Sequence, residues 1–113
     1  MKSKILALSK NEDFKNLLQK KKASNKYVTI FYGILDNKDI EKLNISFVTK
    51  KKLGNAVKRN KIKRRLKNII NEAIKNMTIK CNYSYLVIAK PTMLNKEYKN
   101  IKETLFQSLK EIR

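Results

Sequence analysis

The segment GNAVKRNKIKRRLK, residues 54–67, constrains the fold of this chain most. A predicted helix begins in this segment, which has the highest density of positive charge in the sequence. Gly54 and Asn55 supply a break and an N-cap, which predict a helix that runs to about Asn76. One stripe of apolar residues follows a 3.6-residue period along it: Ile62, Leu66, Ile69, Ile70, Ala73 and Met77. We therefore expect this stripe to pack against the rest of the domain.

Positive charge is concentrated in the first three turns of this helix and just before it. Seven of the fourteen residues 54–67 are Lys or Arg, and no acidic residue occurs between Val48 and Asn71. Solvated helices usually mix acids with bases, because like charges three or four residues apart destabilise a helix. Cations are also unfavourable at the positive end of the helix dipole. Bound phosphates would remove both costs, so the pattern favours polyanion binding over a merely solvated face.

The overall charge points to the same kind of partner. The 113 residues, enough for one domain over residues 1–113, include 28 Lys and Arg against 9 Asp and Glu, a formal net charge of +19. Self-repulsion on this scale favours a polyanionic partner, with nucleic acid the first candidate. A membrane surface is the weaker candidate, because the apolar face of the basic helix has the composition of a packed core. No stretch could span a bilayer, so we expect a soluble, cytoplasmic protein with no membrane partner.

The residue types argue against catalysis by this chain alone. There is no His and there are only two Gly, which excludes an imidazole base, a mixed Cys/His zinc site and a Gly-rich phosphate loop. Cys81 is the only cysteine and is interpreted as a small packing residue. The acidic group Asp36, Asp39 and Glu41 is interpreted as a polar turn. We therefore predict no catalytic residue, no metal site and no cofactor bound by the protein itself.

Patterns elsewhere in the chain predict the other elements of the fold. A Ser9-x-x-Glu12 capping box precedes a short helix with Phe14, Leu17 and Leu18 at helical spacing. The polar run QKKKASNK is expected to be a loop. The segments KYVTIFYGIL and LNISFVTK are rich in β-branched and aromatic residues and predict two strands, paired as an antiparallel hairpin.

Two further elements complete the predicted fold. The segment NYSYLVIAKPT is apolar on both faces, which predicts a central strand ended by Pro91. A terminal helix from about Asn95 carries the stripe Tyr98, Ile101, Leu105, Leu109 and Ile112. The fold class is therefore α+β: a single-domain sandwich of three helices and a small mixed sheet of about four strands. The order is α-β-β-β-α-β-α, in which the long first strand region divides in two.

The segment KKLGNAVKRNKIKRRLKNIINE closely resembles the protein component of bacterial ribonuclease P. That family's signature is Lys-Lys at the end of a strand, then Gly-Asn-Ala-Val-x-Arg-Asn-Arg-x-Lys-Arg. The residues that match it in register are Lys51, Lys52, Gly54, Asn55, Ala56, Val57, Arg59, Asn60, Lys63 and Arg64. Lys61 stands where the family usually has Arg, so it offers phosphate a point charge in place of a bidentate fork. The segments KNEDFKNLL and SYLVIAKPT and the terminal helix also resemble the family, in the same order.

The resemblance implies a fold, a partner and a reaction. The fold would contain a left-handed β-α-β crossover, and the basic helix would dock on the catalytic RNA of ribonuclease P. A cleft between the first helix and the sheet would hold the single-stranded 5′ leader of precursor tRNA. The RNA, with Mg²⁺ bound in the RNA holoenzyme, would perform the endonucleolytic hydrolysis that matures the tRNA 5′ end. This chain would be the accessory subunit.

The predicted site residues form two sets. The RNA-binding set is Lys50, Lys51, Lys52, Asn55, Lys58, Arg59, Asn60, Lys61, Lys63, Arg64, Arg65 and Lys67. By the resemblance, Phe14, Leu18, Thr29 and Phe31 would line the leader cleft, where Leu18 replaces a frequent second aromatic and is expected to make an apolar contact. Two alternatives remain open from the residues: a structural RNA-binding protein of ribosomal type, and an RNA chaperone with no fixed partner.

Overall fold

The computed structural model of this chain describes residues 5–6, 8, 11–35, 43–76, 83–94 and 97–112. The helices are α1 (Asn11–Leu17), α2 (Ala56–Asn76) and α3 (Tyr98–Glu111). The strands are β1 (Ile5–Leu6), β2 (Lys21–Ser24), β3 (Val28–Gly33), β4 (Leu43–Val48) and β5 (Ser84–Ala89). The predicted α+β class, with three helices and a mixed sheet, is confirmed, and the two-residue β1 adds one short strand to it. Several predicted features lie outside the described residues: the Ser9 cap, the acidic turn at Asp36, Asp39 and Glu41, Met77, Cys81 and Asn95.

The strand order in the sheet is β1-β4-β5-β3-β2. Strand β5 lies at the centre, parallel to β4 and antiparallel to β3, as its two apolar faces predict. The predicted hairpin between the segments that form β3 and β4 is wrong, because β5 separates them. Helix α2 connects the adjacent parallel strands β4 and β5 in a β-α-β unit, and the left hand of that crossover stays a prediction.

The prediction of a loop at QKKKASNK is also wrong, because Lys21–Ser24 forms an edge strand. Strand β2 pairs antiparallel with β3, with Lys22 opposite Phe31 and Ser24 opposite Thr29. The turn between them is closed by Asn25, whose Oδ1 accepts hydrogen bonds from the backbone N–H groups of residues 27 and 28 at 2.8 and 2.9 Å. Lysines on an exposed edge strand discourage pairing with another chain. They also remove the alternation of apolar and polar residues that would have predicted this strand.

The two faces of the sheet carry different layers. Helices α2 and α3 cover one face, where Ile30, Ile45 and Val87 of the sheet meet the larger core. The predicted stripe of α2 is buried there at all its described positions: Ile62, Leu66, Ile69, Ile70 and Ala73. On α3, Ile101, Leu105 and Leu109 are buried, Tyr98 is half-buried, and Ile112 lies buried just beyond the helix end.

Among the described residues, fewer cover the opposite face of the sheet. A smaller apolar cluster is built there from Leu8, Leu17, Leu35 and Leu86, with Phe14, Phe31, Val48 and Ile88 packed against it. Helix α1 is only seven residues long, so it shields part of a five-stranded sheet and leaves the neighbouring positions half-buried. The predicted leader residues lie along this face, and the predicted RNA-binding residues lie between Lys50 and Lys67.

Candidate nucleic-acid interface

The beginning of α2 is held in place by local structure as much as by packing. A 3₁₀ turn over Lys51–Leu53 follows β4, and Leu53, 1% exposed, fixes it to the core. Gly54 has φ 123°, a conformation that side chains other than glycine rarely adopt. A Cβ atom there would also lie 2.8 Å from Cδ of Lys58. The chain direction at the start of the basic helix therefore depends on this glycine.

Asn55 caps the helix as the sequence predicts. Its Oδ1 accepts a hydrogen bond from the backbone N–H of Lys58 at 3.0 Å, and its backbone carbonyl accepts one from Arg59 at 3.0 Å. An asparagine cap satisfies one of the N–H groups that a helix start leaves without a partner. The cap is neutral, so it leaves the positive charge of this turn uncompensated.

The predicted RNA-binding side chains surround the exposed part of this helix start. Exposed positions are Lys50, Lys51, Lys52, Asn55, Lys58, Asn60, Lys61, Lys63, Arg64 and Lys67, and Arg59 and Arg65 are half-buried. The Nε atom of Arg59 is shielded from solvent and has no hydrogen-bond partner among the described residues.

The first acidic residue of α2 is held by the neighbouring helix. Glu72 forms an ion pair with Lys102 of α3, with Oε2 and Nζ 2.8 Å apart. The hydrogen bond to this carboxylate and its charge raise the pKa of Lys102 above its usual value. Burial, and then the charge of Glu72, raise the pKa of Tyr98. This ion pair lies in the second half of α2, so it does not neutralise the cations of the first half.

The predicted leader residues lie on the α1 side of the sheet. Phe14 of α1 and Phe31 of β3 are half-buried, and both pack against the same apolar cluster. Thr29 is half-buried one row further along β3, with its Oγ1 3.4 Å from Oγ of Ser24. Leu18 follows the last residue of α1, is 49% exposed and is not part of the cluster.

Strand register identifies residues on this face that the sequence analysis did not select. Directly opposed residues share a face of the sheet. Lys22, Phe31, Leu86 and Ser46 therefore form one row, and Ser24, Thr29, Ile88 and Val48 form the next. Lys22 is exposed and places a cation beside Phe31. The two-residue period of KKAS would have identified it, had that run been interpreted as a strand.

The two predicted site regions meet at one end of the sheet. Val48 ends β4 on the α1 face, and the basic run begins two residues later at Lys50. At the same end, Lys90 donates from Nζ to Oγ of Ser24 at 2.7 Å and to the backbone carbonyl of Asn25 at 2.5 Å. Cations thus continue from the apolar face round the sheet end to α2, which suits one extended polyanion with exposed bases.

Two further findings concern metal sites and membrane spans within the described ranges. These ranges contain no group of three or more Cys, Asp or Glu residues arranged to hold a metal ion. They also contain no helix that is both long and apolar enough to cross a membrane.

Comparison with known proteins identifies the family. A family model described as Ribonuclease P matches residues 3–113. The ribonuclease P protein component of Carboxydothermus hydrogenoformans is 34% identical over 112 residues, which cover 96% of this chain and 91% of that protein. The solved RNase P protein from Staphylococcus aureus is 26% identical, with a TM-score of 0.78 and 92% of each chain covered.

A second solved structure is similar in fold. The RNase P protein from Thermotoga maritima is 22% identical and has a TM-score of 0.80, with 96% of this chain and 98% of that chain covered. The family match spans almost the whole sequence, including the basic helix and the sheet face described above. This chain belongs to the family of bacterial ribonuclease P protein components.

Proposed function

We propose that this chain binds the catalytic RNA of ribonuclease P and the 5′ leader of precursor tRNA, and so supports removal of the leader. Its family membership makes it a component of a hydrolytic ribonucleoprotein with an RNA partner. The observation that best supports binding to the catalytic RNA is the segregation of charge on α2. All charged residues in the first half of this helix are cations, and its buried stripe packs on the sheet. Such a helix suits phosphate contacts, which supply most of the affinity for RNA.

The α1 face of the sheet supports the second part of the proposal. Single-stranded RNA is held by aromatic and apolar side chains beside cations, because every base has a face that stacks. Phe14 and Phe31 provide half-buried rings on one cluster, and Lys22 provides a cation in the same row as Phe31. Bases in a duplex are already paired and stacked on each other, so an unpaired leader is the form of RNA that this face fits.

The roles of RNA and protein in the proposed reaction are separate. The RNA, with Mg²⁺, performs the hydrolysis, and this chain neutralises phosphates and holds the leader. Neutralising phosphates near bound Mg²⁺ reduces repulsion between the RNA strands that must approach each other in the assembled enzyme. The side chains described above are suited to that task, since nearly all of them are cationic or apolar.

A reconstituted cleavage assay tests this proposal. Precursor tRNA is incubated with the protein alone, with a bacterial ribonuclease P RNA alone, and with both, over a range of Mg²⁺ concentrations. We expect cleavage with both components at lower Mg²⁺ than the RNA alone needs, and no cleavage by the protein alone. Cleavage by the protein alone would refute the division of roles. A protein that binds the RNA without changing its cleavage would favour a structural RNA-binding role.

A further inference from the structure

A groove lies between the basic half of α2 and the 3₁₀ turn Pro91–Met93 that follows β5. Its volume is about 260 Å³. The residues that line it are Lys58, Lys61, Ile62, Arg65, Met93 and Leu94. The groove is on the α2 side of the molecule, so it is separate from the α1 face assigned to the leader.

The two walls of this groove differ in chemistry. Lys58, Lys61 and Arg65 are three or four residues apart along α2, so their side chains project from one face of the helix. Among the described residues that line the groove, none is acidic. The other wall is apolar: Met93 is 1% exposed and Leu94 is 37% exposed, so Leu94 is the apolar side chain that a ligand would reach.

The apolar wall is held in a fixed position. The backbone N–H of Met93 donates to the carbonyl of Lys90 at 3.0 Å, and that of Leu94 donates to the carbonyl of Pro91 at 3.1 Å. The Oγ1 of Thr92 donates to the carbonyl of Lys26, which ties the turn to the start of β3. A ligand would therefore meet this wall without first having to order it.

We propose that this groove binds a single nucleotide of the RNA partner, with its base turned out of the stack. The base would lie against Leu94 and its 5′ phosphate would contact Lys58, Lys61 and Arg65. A regular duplex backbone would use the cations and leave the apolar wall in water, whereas a turned-out nucleotide uses both. The volume lies just under the ~300–1,000 Å³ typical of pockets for drug-sized ligands, which suits one nucleotide. The inference rests on the proposed RNA-binding function and adds a defined subsite to it.

Titration of the full-length protein with small probes tests the subsite directly. The probes are adenosine 5′-monophosphate, ribose 5-phosphate and inorganic phosphate, added at equal ionic strength while NMR follows the methyl signals of Met93 and Leu94. We expect the ring current of the base to shift the Leu94 methyl signals upfield with adenosine 5′-monophosphate only. Equal shifts with all three probes, or no shift with any of them, would overturn the proposal, because the apolar wall would then have no role in binding.

A matched pair of variants tests the subsite in the complex with a bacterial ribonuclease P RNA. Leu94→Asp and Ile34→Asp each add one negative charge at an exposed apolar residue, and Ile34 is 59% exposed beside Asn16 of α1, outside the groove. Loss of the base contact together with repulsion of the nearby phosphate should weaken RNA binding about tenfold for Leu94→Asp. Ile34→Asp should weaken it less than threefold. Equal losses in the two variants would overturn the subsite.

These results separate the subsite from the wider proposal. Both variants change exposed side chains, so unchanged thermal unfolding should show that each one folds. At saturating protein, Ile34→Asp should support leader removal as the unsubstituted protein does, because Ile34 lies outside the groove. If the unsubstituted protein supports no cleavage, the proposed function is wrong, and the nucleotide titration still decides whether the groove binds a base.

Discussion

Replacing the exposed cations of α2 should stabilise the free protein and weaken its binding to RNA. The variant combines Lys61→Gln, Lys63→Gln and Arg64→Gln, at three positions whose side chains are exposed. Six pairs of like charges lie three or four residues apart in this stretch: 58 with 61, 59 with 63, 61 with 64, 61 with 65, 63 with 67 and 64 with 67. Each pair includes one of the three substituted residues, so the variant removes all six repulsions.

The substitutions should raise the stability of the free protein and lower its affinity for RNA, and each effect can be estimated. At about 0.2–0.5 kcal/mol for each pair, the free energy of unfolding should rise by ~1–3 kcal/mol at low salt, with the increase fading as salt screens the charges. If each side chain contacts one phosphate, the slope of log affinity against log salt should fall by about two to three units. Raising salt from about 50 to about 200 mM would then weaken RNA binding by the unsubstituted protein roughly 16- to 64-fold more than RNA binding by the variant.

The control variant carries Lys75→Gln, Lys99→Gln and Lys110→Gln, which remove three exposed cations away from the basic half of α2. Urea denaturation and RNA binding to a bacterial ribonuclease P RNA are measured for both variants over the same range of salt concentrations. We expect the control to keep most of the salt dependence of binding. Equal slopes for the α2 variant and the unsubstituted protein would remove this helix from the interface. A less stable α2 variant would refute the argument that its cations repel each other.

Three other predictions concern the leader face, the helix start and bound anions. Phe31→Ala should weaken binding of leader-bearing precursor tRNA by ~1–3 kcal/mol and leave binding of mature tRNA nearly unchanged, because a stacked base is lost; equal losses in a competition assay would indicate a purely structural ring. Gly54→Ala should lower the free energy of unfolding by ~1–3 kcal/mol in urea titrations, because φ 123° is strained for alanine; an unchanged midpoint would contradict the strain. Sulfate at 100 times its dissociation constant should stabilise the unsubstituted protein by ~2.7 kcal/mol and the α2 variant by less. Thermal unfolding checks this, and equal increments in the two proteins would rule out anion binding at α2.

Local patterns predicted the elements that carry their own signals. The basic helix has a cap at Asn55, a break at Gly54 and a regular apolar stripe, and its described bounds match the prediction closely. Strand β5 is apolar on both faces, and this pattern predicted its central position. In these cases the residue pattern and the tertiary environment impose the same requirement, so the sequence alone is sufficient.

The errors arose where the structure depends on distant pairing. Strand β2 exists because β3 supplies its hydrogen-bond partners, and its exposed lysines give no apolar alternation. The order of β3, β4 and β5 depends on how the two helices pack across the whole sheet. No single segment of the sequence carries that information. The apolar wall at Leu94 follows Lys61 by more than thirty residues, so no local motif joins the two sides of the groove.

The position of the cations within α2 explains how this helix tolerates them. Repulsion among them amounts to ~1–3 kcal/mol, whereas each buried side chain of the stripe contributes ~1.5–3 kcal/mol relative to exposure. Since Ile62, Leu66 and Ile69 are each at most 4% exposed, burial of the stripe outweighs the repulsion among the cations, and we expect the helix to form before RNA binds. Phosphates then meet charges whose spacing is already fixed, so binding avoids the ordering cost that a disordered basic tail would incur. The cations that are unfavourable in the free protein therefore add affinity for RNA, and the helix that carries them does not have to become ordered on binding.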